Sequence, residues 1–416
     1  MRQLRKTRRL SNLNVSDNSG RNCMNKNISL FIIYSMLLLL SVCASASTGK
    51  NDFNTERYMK TFIDGINNRD ESAFYKIFNI DAFVEKVFSE NVLNANYKKG
   101  YKQGLKRGFE NSSKLLVTLM PDNGYAKLIR LRKGNSFDKA LVRFDLGDNG
   151  YSFREFIIDK RINSDKRIYD WYDYTYGQKF SEYNRNILAI ASPNRSIIKK
   201  ILNLKNNRKK DIDNLLLLIK TLKTKDAGQA LKLYKGFDES FRKIRSIILI
   251  SYSIASRIGS NELYRITLSD LGKYHGDEAS LNFVLIDHYY YQKKYDKAIS
   301  AIDTFMQEVG KDDAALIALK ANLYSVSGNC NKAVALSREA LRYEVRFEEP
   351  YWVMLNCHVN DNQYEDAVKI MSDIENKFNI VFDINVLQKD AAYNQFMGTS
   401  VFKNWYMQSM SKKEAQ

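Results

Sequence analysis

The sequence predicts a multidomain chain: an α+β domain of helices and an antiparallel sheet, followed by an all-α solenoid. Three observations predict it. Five windows of one pattern open at Asp211, Arg245, Ala279, Ala314 and Glu348, stepping by 34, 34, 35 and 34 residues. A fixed period of that length marks stacked helical hairpins. Upstream, helical spacing of apolar residues gives way to strict alternation around Ala140 to Leu146. Ahead of both lies an almost unbroken apolar run, Ile28 to Val42.

The apolar run comes first in the chain and decides the expected compartment. It is shorter than the roughly 20 residues a membrane-spanning helix needs. It fits the hydrophobic part of a secretory signal, with Ala44-Ser45-Ala46 as the small-residue cleavage site before Ser47. Residues 1–46 are therefore expected to be a signal region, cleaved between Ala46 and Ser47. Met24 is the expected start, with residues 1–23 an over-extended reading. A true start at Met1 would favour an uncleaved anchor instead. A lipoprotein reading of Cys43 is weakened by Val42, where that signal wants a small residue. Twin-arginine export is weakened by the distance of Arg8-Arg9 from the run. The expected location is periplasmic or secreted, in a Gram-negative envelope, with no membrane span after cleavage.

The bulk composition narrows the function classes. With 44% apolar and 27% charged residues, the chain is an ordinary folded protein rather than a disordered one. Seven basic residues against Asp17 place +6 of the +18 net charge in residues 1–46, leaving +12 on a mature chain. That balance favours anionic partners, including an anionic envelope surface. The charge is spread without an Arg-rich block, and no RNA-binding or zinc-finger signature occurs, so nucleic acid is not an expected partner.

Residues 47–192 read as the α+β domain. Tyr58, Phe62, Ile63 and Ile66 recur at helical spacing until Asn67-Asn68-Arg69-Asp70 breaks the run. Further helical stretches follow at Glu71–Phe78 and Ala82–Phe88. Tyr97, Tyr101, Leu105 and Phe109 then recur every four residues in a longer helix toward Met120, ended by Pro121-Asp122-Asn123-Gly124. Next, Ala140, Val142, Phe144 and Leu146 alternate with Leu141, Arg143 and Asp145, as in a half-buried strand. Gly147-Asp148-Asn149-Gly150 is a hairpin turn into Tyr151–Lys160, and Asn163-Ser164-Asp165 turns into Ile168–Thr175. With Tyr125–Arg132 this makes about four antiparallel strands. Helices first and a curved meander after resembles the NTF2-like fold. The resemblance implies a pocket inside the sheet's cone, for which Asp145, Arg154, Glu155, Asp170 and Asp173 are the candidate polar groups. Solvated strand faces and cross-strand ion pairs are the competing reading of the same residues. The run Tyr169 to Tyr174 reads either as a ligand shelf or as core on one face and domain interface on the other.

Pro193 opens a linker or helix, 193–210, and the repeats occupy 211–378. The third window carries Leu285, Ile286, Tyr289, Tyr295, Ala298, Ile302 and Phe305. The fourth carries Ile317, Ala321, Tyr324, Gly328, Ala333 and Ala340, and the fifth Tyr351, Met354, Leu355, Tyr364, Ala367, Met371 and Ile374. The first two windows are degenerate, and in the second Tyr264 stands where a small contact residue is wanted. These windows resemble tetratricopeptide repeats. Each hairpin cannot bury its apolar stripe alone, so neighbours must stack. Phe382, Leu387, Tyr393, Phe396, Phe402 and Trp405 are expected to form capping helices in 379–416.

The resemblance implies a concave groove lined by Ser253, Arg257, Phe283, Asp287, Tyr290, Tyr291, Asn322, Ser325, Trp352, Asn356 and Asn360. Its expected occupant is a peptide or protein. Asn322 and Asn356 hold equivalent positions in adjacent repeats, where an amide can grip peptide backbone through donor and acceptor. Tyr290, Tyr291 and Trp352 are the expected anchors. Repeats that clamp a C-terminal carboxylate want groove lysines; Leu249, Phe283, Ala318 and Trp352 occupy that position instead.

Little else in the chain suggests chemistry. Beyond residue 46 the only cysteines are Cys330 and Cys357, at the same end of adjacent repeat helices. A disulfide stapling the two repeats and a pair of buried thiols both fit. His275, His288 and His358 show no metal-ligand spacing, and no nucleotide loop or nucleophile elbow occurs. No catalytic, cofactor or metal residues are assigned. The expected function is an exported, non-enzymatic protein-interaction scaffold. The alternatives are a small-ligand binder or enzyme using the NTF2-like pocket, and a basic protein bound to the envelope surface.

Overall fold

The computed structural model describes residues 53–89, 95–118, 120, 124–146, 150–191 and 208–414. The expected signal region, with Ala46 and Ser47, and most of the expected linker lie outside the described residues.

Four helices come first: α1 (Thr55–Asn67), α2 (Ala73–Ile77), α3 (Ile80–Phe88) and α4 (Ala95–Thr118). Asn54 and Asn79 start α1 and α3 by accepting backbone N–H bonds from Arg57 and Ala82 at 3.0 and 2.9 Å. Between α1 and α2 the chain turns at Arg69, whose φ of 61° lies in the left-handed region. The strands β1 (Ala126–Arg132), β2 (Phe137–Asp145), β3 (Tyr151–Asp159), β4 (Ile168–Asp173) and β5 (Gln178–Lys179) follow as one antiparallel meander in sequence order. The two-residue β5 goes beyond the four strands expected, being too short to show alternation. Helix α5 (Phe180–Ala191) leaves the sheet directly.

One face of the sheet packs on the helices. Ala140, Val142, Phe144, Phe156, Ile158 and Trp171 meet Phe62, Phe74, Phe78 and Phe109 in one core. Phe78 stacks on Phe109 at 4.2 Å and Trp171 on Phe180 at 4.0 Å. Each such ring contributes on the order of 1.5–3 kcal/mol by burial.

The second face corrects the expectation of a half-buried strand. Leu141, Arg143 and Asp145 are buried, as are Tyr151 and Phe153 on β3. The reason is the solenoid, which covers that face. Phe153 meets Phe283 at 5.1 Å and Phe305 at 5.3 Å, and Tyr151 meets Phe347 at 5.9 Å.

The C-terminal half is a solenoid of tetratricopeptide-like hairpins. They are α6 (Lys209–Thr224) with α7 (Ala227–Lys235), then, after the short α8 (Glu239–Arg242), α9 (Arg245–Ile258) with α10 (Asn261–His275). Next come α11 (Asn282–Tyr291) with α12 (Tyr295–Val309), α13 (Ala314–Val326) with α14 (Cys330–Tyr343), and α15 (Glu348–Asn360) with α16 (Tyr364–Phe378). Three of the first helices begin at the window residues Arg245, Ala314 and Glu348. The close-contact residues Ala298, Ala333 and Ala367 are fully buried. In the second hairpin Tyr264 is accommodated by tilting against Tyr252, with ring centroids 5.0 Å apart. Its hydroxyl donates to Asp287 of the next repeat at 2.7 Å. The large residue thus replaces close packing with a buried polar bridge.

The last helices, α17 (Ile384–Leu387), α18 (Ala391–Met397) and α19 (Ser400–Glu414), cover the open end of the stack. Phe382, Leu387, Tyr393, Phe396, Phe402 and Trp405 are all buried there. Among the described residues, no helix is long and apolar enough to cross a membrane.

Candidate functional site

The groove positions are not an open wall along the whole solenoid, because the chain's own segments occupy both ends. At the N-terminal end α5 crosses α9. The Tyr183 hydroxyl lies 3.4 Å from Ser253 Oγ, and the Arg257 guanidinium sits 5.5 Å from the Tyr183 ring centre. At the C-terminal end Tyr393 of α18 donates to Asn356 Oδ1 at 2.6 Å. Trp352, expected as an anchor, is instead part of the capping core: its ring meets Phe382 at 5.6 Å and its indole N–H donates to Glu348 at 2.6 Å. Phe283 is absorbed into the contact with the sheet.

The remaining groove residues divide by exposure. Asp287 and Asn322 are buried, at 4% and 3%. Asp287 accepts the Tyr264 hydroxyl, so its position is filled from the neighbouring repeat. Tyr290, Tyr291 and Ser325 are half-buried and Asn360 is exposed. Tyr290 and Tyr291 stand edge to face at 5.9 Å, with the Arg265 guanidinium 5.6 Å from the Tyr291 ring. Tyr290 and Tyr291 end the first helix of the third hairpin, Ser325 lies on that of the fourth, and Asn360 ends that of the fifth.

The pocket expected between sheet and helices is filled. Helices before a meander is the element order on which the NTF2-like resemblance rests, but the aromatic core occupies the space between them. Three of the candidate polar groups are engaged in structural contacts. Arg154 pairs with Asp173 at 3.2 Å across β3 and β4. Asp170, fully buried, accepts from the backbone N–H groups of Trp171 and Ser181 at 3.0 Å each and from Ser181 Oγ at 2.6 Å. It thereby holds the start of α5, while burial pushes its carboxyl pKa up. Asp145 is buried at the end of β2. Along Tyr169 to Tyr174 the chain divides as core and interface: Trp171 faces the helices, and Tyr172 and Tyr174 face the repeats.

A buried ionic cluster at the seam escaped the sequence. Arg143 of β2 is fully buried and donates to Asp313 Oδ2 at 2.5 Å and to Glu344 Oε2 at 2.7 Å. Its second amino group also reaches the Tyr125 hydroxyl at 3.1 Å, and Tyr125 in turn donates to Glu344. Lys127 meets Glu344 Oε1 at 2.5 Å. Asp313 also caps α13, accepting from Leu316 N at 3.1 Å. Burial alone pushes the Glu344 carboxyl up to about 7. Two cations in direct contact oppose this, and we read the carboxylate as ionised. The only sequence signal was an arginine between apolar neighbours on a strand face assumed to be wet.

Cys330 and Cys357 form a disulfide between α14 and α15, with Cα atoms 5.2 Å apart and 27 residues of separation. A loop of that length implies about 3–4 kcal/mol of stabilisation from the constrained unfolded chain. Replacing both cysteines with Ser is expected to lower the urea midpoint accordingly, with wild type in reductant shifting equally. Unchanged midpoints would show that the bond contributes nothing.

The histidines are structural. His275 Nδ1 pairs with Glu278 at 2.8 Å while Nε2 donates to the Lys243 carbonyl at 2.9 Å. His358 bonds Gln363 at 2.6 Å, and His288 is buried against Gly272. Among the described residues, no group of His, Cys, Asp and Glu is placed to hold a metal ion.

No protein-family model and no curated protein matches the chain. Solved structures that resemble it include MamA 41-end from Desulfovibrio magneticus RS-1, at 11% identity and TM-score 0.31, covering 40% of this chain and 94% of that one. A second MamA protein is 14% identical at TM-score 0.31, covering 42% and 98%. PilW, a widely conserved type IV pilus biogenesis factor, is 13% identical at TM-score 0.34, covering 51% and 96%.

Proposed function

We propose that this chain is an exported, non-enzymatic scaffold that holds a peptide or protein partner on its repeat groove. The observation that carries the reading is what the groove positions already do. Ser253 and Arg257 receive Tyr183 of α5, and Asn356 receives Tyr393 of α18. Side chains at these positions are chemically suited to gripping a passing polypeptide, and a solenoid of hairpins is the architecture that presents such surfaces. The stretch left for a partner is Tyr290, Tyr291 and Ser325, continuing to the exposed Asn360. Export is supported by the apolar run with Ala46-Ser47 behind it and by a disulfide, which suits an oxidising compartment.

A photo-crosslinking residue in place of Asn360 tests the groove in cells. A discrete adduct is expected there and not from the same residue at the exposed Lys232 on α7. Tyr290→Ala should reduce that adduct several-fold while leaving the melting temperature nearly unchanged. Equal adducts from both positions, or none from Asn360, would remove the groove from the account. Intact mass of the chain from the periplasmic fraction tests export separately. A first residue of Ser47 is the expected result, and a chain retaining residues 1–46 in the membrane fraction would make it anchored.

A further inference from the structure

A half-open cavity of about 210 Å³ lies at the seam between the sheet and the third repeat. Strand register builds one of its walls. Arg130 pairs with Leu141, Leu141 with Glu155, Glu155 with Tyr172 and Tyr172 with Lys179, so these residues form a single cross-strand row. Glu155, Tyr172 and Lys179 of that row line the cavity, with Lys139 beside them and Glu308 and Ser280 opposite on the repeat.

Glu155 is 7% exposed, yet no cation touches it closely. Its Oε1 lies 3.6 Å from Arg130 and 3.7 Å from Arg132, and its Oε2 lies 3.7 Å from Lys139. Those distances exceed hydrogen bonds. Among the described residues, Glu155 Oε1 and the Arg130 Nε and Nη2 groups have no hydrogen-bond partner. Buried polar atoms in that condition are costly unless something satisfies them. The lining sets Lys139 and Lys179 against Glu155 and Glu308, and Arg130 and Arg132 stand behind Glu155, so the surroundings carry an excess of positive charge. The phenols add an aromatic wall, Tyr172 and Tyr174 standing edge to face at 4.9 Å. Tyr172 is fixed there by donating to the Ser280 carbonyl at 3.1 Å.

We propose that this seam cavity binds a small hydroxylated organic anion of the sugar-acid class. The excess cations, Lys139 and Lys179 nearest, take the acid group. Glu155 Oε1, Glu308 and the Ser280 hydroxyl accept ligand hydroxyls, and the tyrosine rings cover the apolar face of the sugar. Domain interfaces are favoured places for such sites, and the volume selects a ligand below drug size. The site lies on the sheet face opposite the filled pocket, and it stands whether or not the groove holds a partner.

The test is calorimetric titration of the mature chain with D-galacturonate, against neutral D-galactose and against acetate, at constant ionic strength. Saturable binding of galacturonate is expected, about tenfold or more tighter than either control. Lys139→Ala and Lys179→Ala, both on exposed side chains, should each weaken it several-fold. Ligand should also raise the melting temperature, because it bridges both halves. Failure to saturate by ~10 mM, acetate binding as tightly as galacturonate, or affinity unmoved in both lysine variants would each overturn the proposal.

Discussion

Arg143→Ala is expected to lower the unfolding free energy by about 3–5 kcal/mol, the largest loss from any single charge among the described residues. The size follows from what stays behind. Asp313 and Glu344 remain buried, with Lys127, itself 38% exposed, as the nearest remaining cation for Glu344. A lone buried carboxylate costs far more than a lost surface pair. The effect should concentrate at the seam, since Arg143 is the point where β2 meets the start of α13 and the end of α14. In urea, wild type should unfold both halves together, while the variant separates their transitions. Replacing the whole cluster should recover most of the loss. Arg143→Met with Asp313→Asn and Glu344→Gln removes the buried charges, leaving Lys127, 38% exposed, to be solvated by water, while Asn keeps the cap on α13. A loss below about 1 kcal/mol for Arg143→Ala, or no recovery in the triple variant, would show that the cluster does not hold the halves together.

The sequence was legible where structure is local. A hairpin's close contact depends on one small residue per window, and Ala298, Ala333 and Ala367 announce it. Alternation along β2 and β3 likewise reports one buried face. It cannot report what covers the other, since a second domain and solvent leave similar traces when the covering residues are far away in the chain. Arg143 and Glu155 therefore read as wet cross-strand charges, although both are buried against the repeats. The anchor reading of Trp352 failed for a related reason. A tryptophan on a first helix suits a partner's pocket and a capping core equally well, and only the position of Phe382 decides for Trp352. Asn356, expected to grip a peptide backbone, instead accepts from Tyr393 of the same chain. Such long-range pairings carry no periodicity.

Gly177 is the position where the seam depends most on backbone, and Gly259 supplies its control. Both have positive φ, +62° and +74°. A Cβ on Gly259, at the end of α9, meets nothing within 4 Å. On Gly177, between β4 and β5, it would lie 2.4 Å from Leu281 Cδ2 and 3.4 Å from Val284 Cγ2. Leu281, Val284 and the nearby Leu249 are buried, so Leu281 must repack among core neighbours to make room. The Gly177 carbonyl also accepts from Arg245 at 2.6 Å, which pins the turn to the start of α9. Gly259→Ala should cost about 1 kcal/mol, the price of a left-handed alanine alone. Gly177→Ala should cost that plus about 1–3 kcal/mol of overpacking. The difference between the two alanine variants in urea thus measures the tightness of the docked seam, free of backbone strain. Leu281→Ala in the Gly177→Ala background should restore the lost packing space and narrow the gap relative to Leu281→Ala alone. Equal losses at Gly177 and Gly259 would mean that the sheet and the repeats touch there without being tightly packed, and the seam would be held by the Arg143 cluster and the Phe153 and Tyr151 ring contacts instead.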